Sequence, residues 1–209
     1  ILPEKFVNRM KNMLGSDYQS FEESYGCERY TALRINPMKA GMKKVIDETG
    51  WETERVPWEE NGLYYDAADM PGKHPYHDAG VYYIQEPSAM APVHYLCPGQ
   101  GERILDLCAA PGGKSTQIAA AMNNNGLLIC NEINTARAKI LSQNIERMGV
   151  KNAMVLNETP DHLAAVFPGY FDRILVDAPC SGEGMFRKNE DACAEWSEEN
   201  VQMCAERQA

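Results

Sequence analysis

The sequence has no apolar run approaching the ~20 residues of a membrane span. Its N-terminus is not a charged segment leading into an apolar signal core. Both absences exclude a membrane partner and point to a cytoplasmic protein. Cys-x-x-Cys pairs are missing too. The seven cysteines, at 27, 97, 108, 130, 180, 193 and 204, are scattered and odd in number, which supports neither a disulfide framework nor a zinc site. They read as reduced thiols. Positive charge is short: 20 Lys and Arg face 30 Asp and Glu, for a formal net charge of −10. That balance excludes a surface gripping nucleic acid by overall positive charge, because phosphate contacts need Lys and Arg whose engagement releases counterions. A nucleic acid would have to be held locally. Lys5/Arg9/Lys11, Lys39/Lys43/Lys44 and Arg187/Lys188 are the local clusters, and each taken alone reads as a solvated helix face. There is no internal repeat and no low-complexity tract.

What is present falls into two halves. The chain has 209 residues and 44% hydrophobic content, enough for one large or two modest domains. Residues 1–78 mix short elements: Phe6, Met10, Met13 and Leu14 lie at helical spacing, "YTALRIN" reads as a strand and "MKAGMKKVIDETG" as a helix ending at Gly50. "WETERVPW" and "GLYYDA" are further strand candidates, giving a small α+β domain with an antiparallel sheet. From Asp66 to Tyr83 the Pro, Gly, His and aromatic residues read as an irregular connection, and "IQEPSAMAPVHYL" as a short helix within a connecting segment 79–98. From 99 to 209 strand and helix alternate: "RILDLC", "KSTQIAAAM", "GLLICNE", "TARAKILSQNIERMG", "NAMVLN", "TPDHLAAVF", "FDRILVDA". This pattern predicts an α/β fold whose parallel sheet is covered on both faces, with ligands at the carboxyl ends of its strands. The chain begins at Ile1 and stops at Ala209 inside a helical pattern that Ser197 can cap. It is therefore read as a fragment, whose sheet is incomplete and whose fourth strand forms an exposed apolar edge.

"LDLCAAPGGKST", Leu105 to Thr116, has the look of a phosphate-binding loop, and "RILVDAP" that of the acidic strand that accompanies one. The template requires glycine five positions before the final Gly-Lys. That position is Cys108, so the match fails where its geometry is decided. Glu132 lies 19 residues after Gly113, near the ~20 at which nucleoside-binding α/β folds set an acid on ribose hydroxyls. A charged residue opening the next helix is the plainer reading of Glu132, and on spacing alone the two are even. Ala109, Ala110, Gly112 and Gly113 let the backbone pass close to a ligand, and the amides opening the next helix suit a carboxylate. Ribose plus carboxylate describes S-adenosylmethionine.

"LDLCAAPGGKS", followed by "NE", "VLN" and "VDAPCSGEG", resembles the Sun (Fmu) group of RNA cytosine-5 methyltransferases, as do "LRINP" and "YYIQEPSAM". The resemblance covers most of the chain and implies a Rossmann-like methyltransferase domain preceded by a small RNA-contacting domain. It implies that Cys108, Ala109, Ala110, Pro111, Gly112, Gly113 and Lys114 wrap the methionine part of S-adenosylmethionine, that Glu132 takes the ribose, and that the end of the third strand takes the adenine. Where the group often carries Asp, two residues after Asn157, this chain has Thr159, a weaker neutral acceptor. The implied substrate is RNA, 16S ribosomal in preference to transfer RNA.

The chemistry accounts for Asp-Ala-Pro-Cys after the fourth strand. Carbon 5 of cytosine is a poor nucleophile until a thiolate adds to carbon 6; a base later removes the carbon 5 proton and the thiol leaves. Asp177, beside the methyl group, would hold the cytosine and favour protonation at its ring nitrogen, and Pro179 would stiffen the turn presenting Cys180. In the resembled enzymes the attacking thiol belongs to a later Thr-Cys motif, and the Pro-Cys thiol assists release. No Thr-Cys pair occurs here. Cys193 and Cys204 lie in Glu-rich helical surroundings that would raise a thiol pKa. Lys114 is ranked as an RNA contact, then a solvated helix residue, then a phosphate lysine. His74 and His77, three apart in a Pro/Gly loop, read as surface residues without a third metal ligand. The competing functions are a P-loop-like NTPase and a non-catalytic RNA-binding protein; the second leaves Glu132, Asp177 and Cys180 without a purpose.

Overall fold

The computed structural model describes residues 2–188 and 190–209. Its elements run α1 Glu4–Leu14, α2 Tyr18–Ser24, β1 Ala32–Ile35, α3 Met42–Thr49, β2 Thr53–Arg55, β3 Gly62–Tyr65, α4 Pro75–Asp78, β4 Tyr82–Ile84, α5 Pro87–Leu96 and β5 Arg103–Asp106. They continue with α6 Gly113–Ala121, β6 Leu127–Asn131, α7 Thr135–Met148, β7 Ala153–Leu156, α8 Pro160–Val166, β8 Arg173–Leu175, α9 Glu190–Glu195 and α10 Glu198–Gln208. The architecture is α/β: a parallel sheet in the order β7-β6-β5-β8 follows an antiparallel sheet in the order β2-β3-β1-β4. Among the described residues no helix is long and apolar enough to cross a membrane.

β4 corrects the sequence reading. The stretch Asp66 to Tyr83, expected to be irregular, ends in a strand that pairs antiparallel with β1, Arg34 opposite Tyr83. It is three residues long and carries no polar alternation, so neither length nor period marks it.

The parallel sheet has two faces with different cover. Ile104, Leu128 and Cys130 point into the main core with Ile118 and Ala119 of α6, Met122 directly after it, and Leu141 and Ile145 of α7. On the other face the register sets Ile174, Leu105, Ile129 and Met154 in one row. Leu163 of α8 covers Leu105 and Ile129. The ends of that row are open: Met154 is exposed on β7, and on the outer strand β8 Ile174 is 52% exposed, with Val176 beyond it at 54%. Cover on both faces, expected for the whole sheet, thus holds at its centre, and β8 forms the expected exposed apolar edge.

The antiparallel sheet packs Leu33, Ile35, Leu63 and Tyr82 against Val45 of α3. Asn36, directly after β1, is fully buried; its Nδ2 donates to Gly80 O at 2.9 Å and to Met148 O, at the end of α7, at 2.8 Å. Through such bonds both sheets share one compact unit, Tyr30–Asp177. A second unit gathers residues 1–29 with 178–209. These lines run differently from the expected division at 78 and 98. In the second unit Phe6 meets Phe186 edge-on at 5.0 Å and Trp196 at 5.7 Å. Trp196 Nε1 donates to Glu183 Oε1 at 3.0 Å, and Ser197 caps α10 by accepting from Asn200 N.

Candidate cofactor and catalytic site

The site grows from the carboxyl ends of β5, β6, β7 and β8. β5 is apolar up to Asp106, and the chain then has to leave the sheet through "LCAAPGG" before α6 can start. Ala109 N donates to Asn131 O at the end of β6, holding the loop over the neighbouring strand. The Ala110–Pro111 peptide is cis. Gly112 caps α6 at φ +113°, a conformation that disfavours any side chain. A Cβ on Gly112 would stand 3.2 Å from Leu141 Cδ1 and 3.4 Å from Asn144 Cβ. Gly112 is therefore bare on the side where α7 lies, and its φ alone already disfavours a side chain. Gly113 faces the other way, where a Cβ would stand only 3.2 Å from Tyr83 Cε1.

The expected acid of β6 is close to this loop. Glu132 is buried; its Oε1 accepts from Asn134 N at 2.9 Å and its Oε2 lies 3.3 Å from Arg137 Nη1. Arg137 Nη2 in turn donates to Ala110 O at 2.8 Å, so one guanidinium ties the acid to the glycine loop. The cap of α7 is Asn134, whose side chain accepts from Ala136 N and Arg137 N. Glu132 does not fill that capping role.

Lys114 and Asp177 meet: Nζ lies 2.7 Å from Oδ2, with the Lys114 side chain mostly buried and that of Asp177 more than half exposed. None of the three roles ranked for Lys114 included this pair. Asp177 stands two residues beyond the end of β8. Cys180, three residues later, is an exposed free thiol. Cys108 is half-buried, and burial, then the charges of Asp106, Glu132 and Asp177, push its thiol pKa up. Thr159 is the N-cap of α8, its Oγ1 accepting from His162 N at 3.3 Å. His74 is a cap as well, its Nδ1 accepting from Tyr76 N.

Two residues that sequence reasoning passed over complete the site. Asn131 donates from Nδ2 to Leu107 O at 3.2 Å and Glu158 O at 3.0 Å, stitching the ends of three strands together. Asp106 is fully buried; Ser115 Oγ donates to its Oδ2 at 2.7 Å, and its Oδ1 has no hydrogen-bond partner among the described residues. Burial pushes the Asp106 carboxyl up to about 6, against the lowering effects of Ser115 and Lys114. Its position as the last residue of an apolar strand, directly before the loop, was the signal available.

The raised pKa has a consequence for stability. Between pH 3.8 and about 6 the folded protein keeps a proton that the unfolded chain releases. The associated stability is fully present below that window and is lost as pH rises through it. At pH 7 the ionised, buried carboxylate costs up to about 3 kcal/mol. Asp106→Asn keeps an acceptor for Ser115 without the charge. The variant is expected to be more stable than the parent at pH 7 by up to that amount, and to lose the pH slope between 4 and 6 in urea unfolding. Lower stability at pH 7 with an unchanged slope would contradict this assignment.

Known proteins resemble the chain in sequence and in fold. The profile of the family described as 16S rRNA methyltransferase RsmB/F matches residues 93–209, and that of the N-terminal domain of 16S rRNA methyltransferase RsmF matches residues 2–87. Ribosomal RNA small subunit methyltransferase F of Vibrio vulnificus (strain YJ016) is 41% identical over 210 residues, covering 96% of this chain and 44% of that protein. The chain spans less than half the length of the curated relatives it matches. Among solved structures, that of PH0851 superposes with a TM-score of 0.91 at 27% identity, over 99% of this chain and 48% of the other. A methyltransferase homolog protein from Pyrococcus horikoshii gives 0.77 at 29% identity, over 89% and 62%. The glycine loop and the strand-end acids thus belong to a fold shared with a methyltransferase homolog, and the chain is a member of the RsmB/F family of 16S rRNA methyltransferases.

Proposed function

We propose that the full-length protein methylates carbon 5 of a cytosine in 16S ribosomal RNA, using S-adenosylmethionine. The observation that carries this reading is the buried Glu132, tied through Arg137 to the Ala110 carbonyl of the glycine loop. An acid beside a glycine-rich strand-to-helix turn is how nucleoside-binding α/β sheets receive ribose hydroxyls. The donor set fits the cofactor in three ways. Glu132 offers a carboxylate to the ribose. The first-turn amides of α6 lack acceptors within the helix and lie at the positive end of its dipole, which suits a carboxylate. Asp106 Oδ1, buried and unpartnered among the described residues, suits an ammonium group. Cys108 to Lys114 would wrap the methionine part. Thr159 would meet the adenine amino group with the lone pair its capping bond leaves free.

When bound, S-adenosylmethionine supplies an electrophilic methyl group. Asp177, oriented by Lys114, holds the cytosine and stabilises its protonated ring nitrogen. Cys180 assists release of the product, while the resemblance assigns the attacking thiol to a later Thr-Cys motif. Titration calorimetry on the full-length protein tests the reading. S-adenosylmethionine is expected to bind and ATP with magnesium is not. Glu132→Gln is expected to weaken binding about 10- to 100-fold, the loss of one charge-assisted hydrogen bond. Binding of ATP alone would return the loop to a nucleotide-hydrolase reading. Unchanged affinity in Glu132→Gln would remove the acid from the site.

A further inference from the structure

Arg34 sits in the middle of β1 and is 1% exposed. Its guanidinium leaves the antiparallel sheet and enters the first turn of α6: Nη2 donates to Gly113 O at 3.0 Å and to Thr116 Oγ1 at 2.8 Å. Nε donates to Gln85 Oε1 at 3.1 Å, and Gln85 Nε2 to Ala89 O at 3.2 Å. Among the described residues no carboxylate forms an ion pair with it; Glu59 acts only at longer range. Burial lowers its pKa to about 10, which leaves it charged at neutral pH. An unpaired buried cation is unfavourable, and at a helix N-terminus the dipole opposes it as well. Its three hydrogen bonds offset that cost, so stability alone gives no preference for Arg34 over a neutral residue of the same volume.

The same turn carries the polar contacts of the site on its other sides. Lys114, one residue after Gly113, reaches Asp177 at 2.7 Å, and Ser115 reaches Asp106 at 2.7 Å. Four consecutive residues are thus held by Arg34 at Gly113 and Thr116 and present their outward groups to two acids. The geometry points to Arg34 as a positioning residue for methyl transfer, one that fixes the first turn of α6 from behind so that Lys114 keeps Asp177 in place. This inference rests on the proposed methyltransferase activity.

The test uses the full-length protein and four variants, Arg34→Met, Arg34→Lys, Arg34→Ala and Thr116→Val. Arg34→Met is expected to keep its thermal midpoint and its KM for RNA, while kcat falls about 10- to 100-fold. Arg34→Lys is expected not to restore kcat, since one ammonium lacks the fork that spans two acceptors and Gln85. Guanidinium ion at millimolar concentration should partly restore Arg34→Ala. A second readout needs no turnover: the Lys114 Nζ resonance should move in Arg34→Met and, by less, in Thr116→Val, as the pair with Asp177 loosens. Folded Arg34→Met with kcat within twofold of the parent and an unmoved Lys114 resonance overturns the proposal. If Arg34→Met does not fold, Thr116→Val decides alone, and unchanged kcat and resonance there overturn it. A parent protein that folds but transfers no methyl group refutes the proposed function instead, and the Lys114 resonance still decides the role of Arg34.

Discussion

Replacing Cys180 by Ala in the full-length protein is expected to leave RNA covalently attached to protein. Cys180 is an exposed free thiol that follows Pro179, and Gln208 Nε2 donates to the Pro179 carbonyl at 2.8 Å, which fixes the turn just before it. If this thiol assists release, a second thiol still adds to carbon 6 and carbon 5 is still methylated. Loss of the carbon 5 proton and departure of the attacking thiol then stall. Removing a group that assists proton transfer lowers turnover about 10²- to 10⁴-fold. Over the same time the adduct should grow towards one RNA per protein, visible as a shifted band on denaturing electrophoresis that requires S-adenosylmethionine. A nucleophilic Cys180 gives the opposite pattern, with neither product nor adduct. Normal turnover without adduct would leave Cys180 with no part in the chemistry.

Gly112→Val is expected to damage the fold first and cofactor binding as a result. A non-glycine residue at φ +113° carries a strain of roughly 1–3 kcal/mol. The added branches would also press on Leu141, which is fully buried in the main core, and on Asn144, whose Nδ2 donates to Pro111 O at 2.8 Å. Overpacking of this kind adds a further ~1–3 kcal/mol. Urea unfolding should show a loss of about 2–6 kcal/mol without ligand, and S-adenosylmethionine should fail to raise the midpoint. Gly112→Ala, with the strain and only the first carbon of the clash, should lie between. A midpoint for Gly112→Val equal to the parent's would contradict this reading of the turn.

Most of the parallel half was legible because its strands are short apolar runs and its helices have clear ends. The "TARAKILSQNIERMG" pattern marks α7 and its close at Gly149, φ +75°, while its cap, Asn134, was not singled out. The nearness of Glu132 to the glycine loop was legible because glycine and acid spacing is local in the chain. Contacts between distant residues left no such trace. Nothing in "LRINP" announces that Arg34 crosses to Gly113 and Thr116, since the charge of an arginine inside a strand is normally assigned to solvent. The Lys114–Asp177 pair joins residues 63 positions apart, and Phe6 meets Phe186 and Trp196 across nearly the whole chain. Asp106 was hidden for a different reason: a single acid ending an apolar strand reads as the start of a loop, and only its full burial reveals an unpartnered oxygen.

The central claim, a methyl group added to carbon 5 of a ribosomal cytosine, is tested most directly by bisulfite sequencing of small-subunit ribosomal RNA. RNA from cells with the intact gene is compared with RNA from cells lacking it, and with cells in which the full-length protein has been restored. At least one cytosine is expected to resist conversion when the protein is present, to convert when the gene is removed, and to resist again on restoration of the parent protein but not of Asp177→Ala. An identical conversion pattern in all of these cells would contradict the claim.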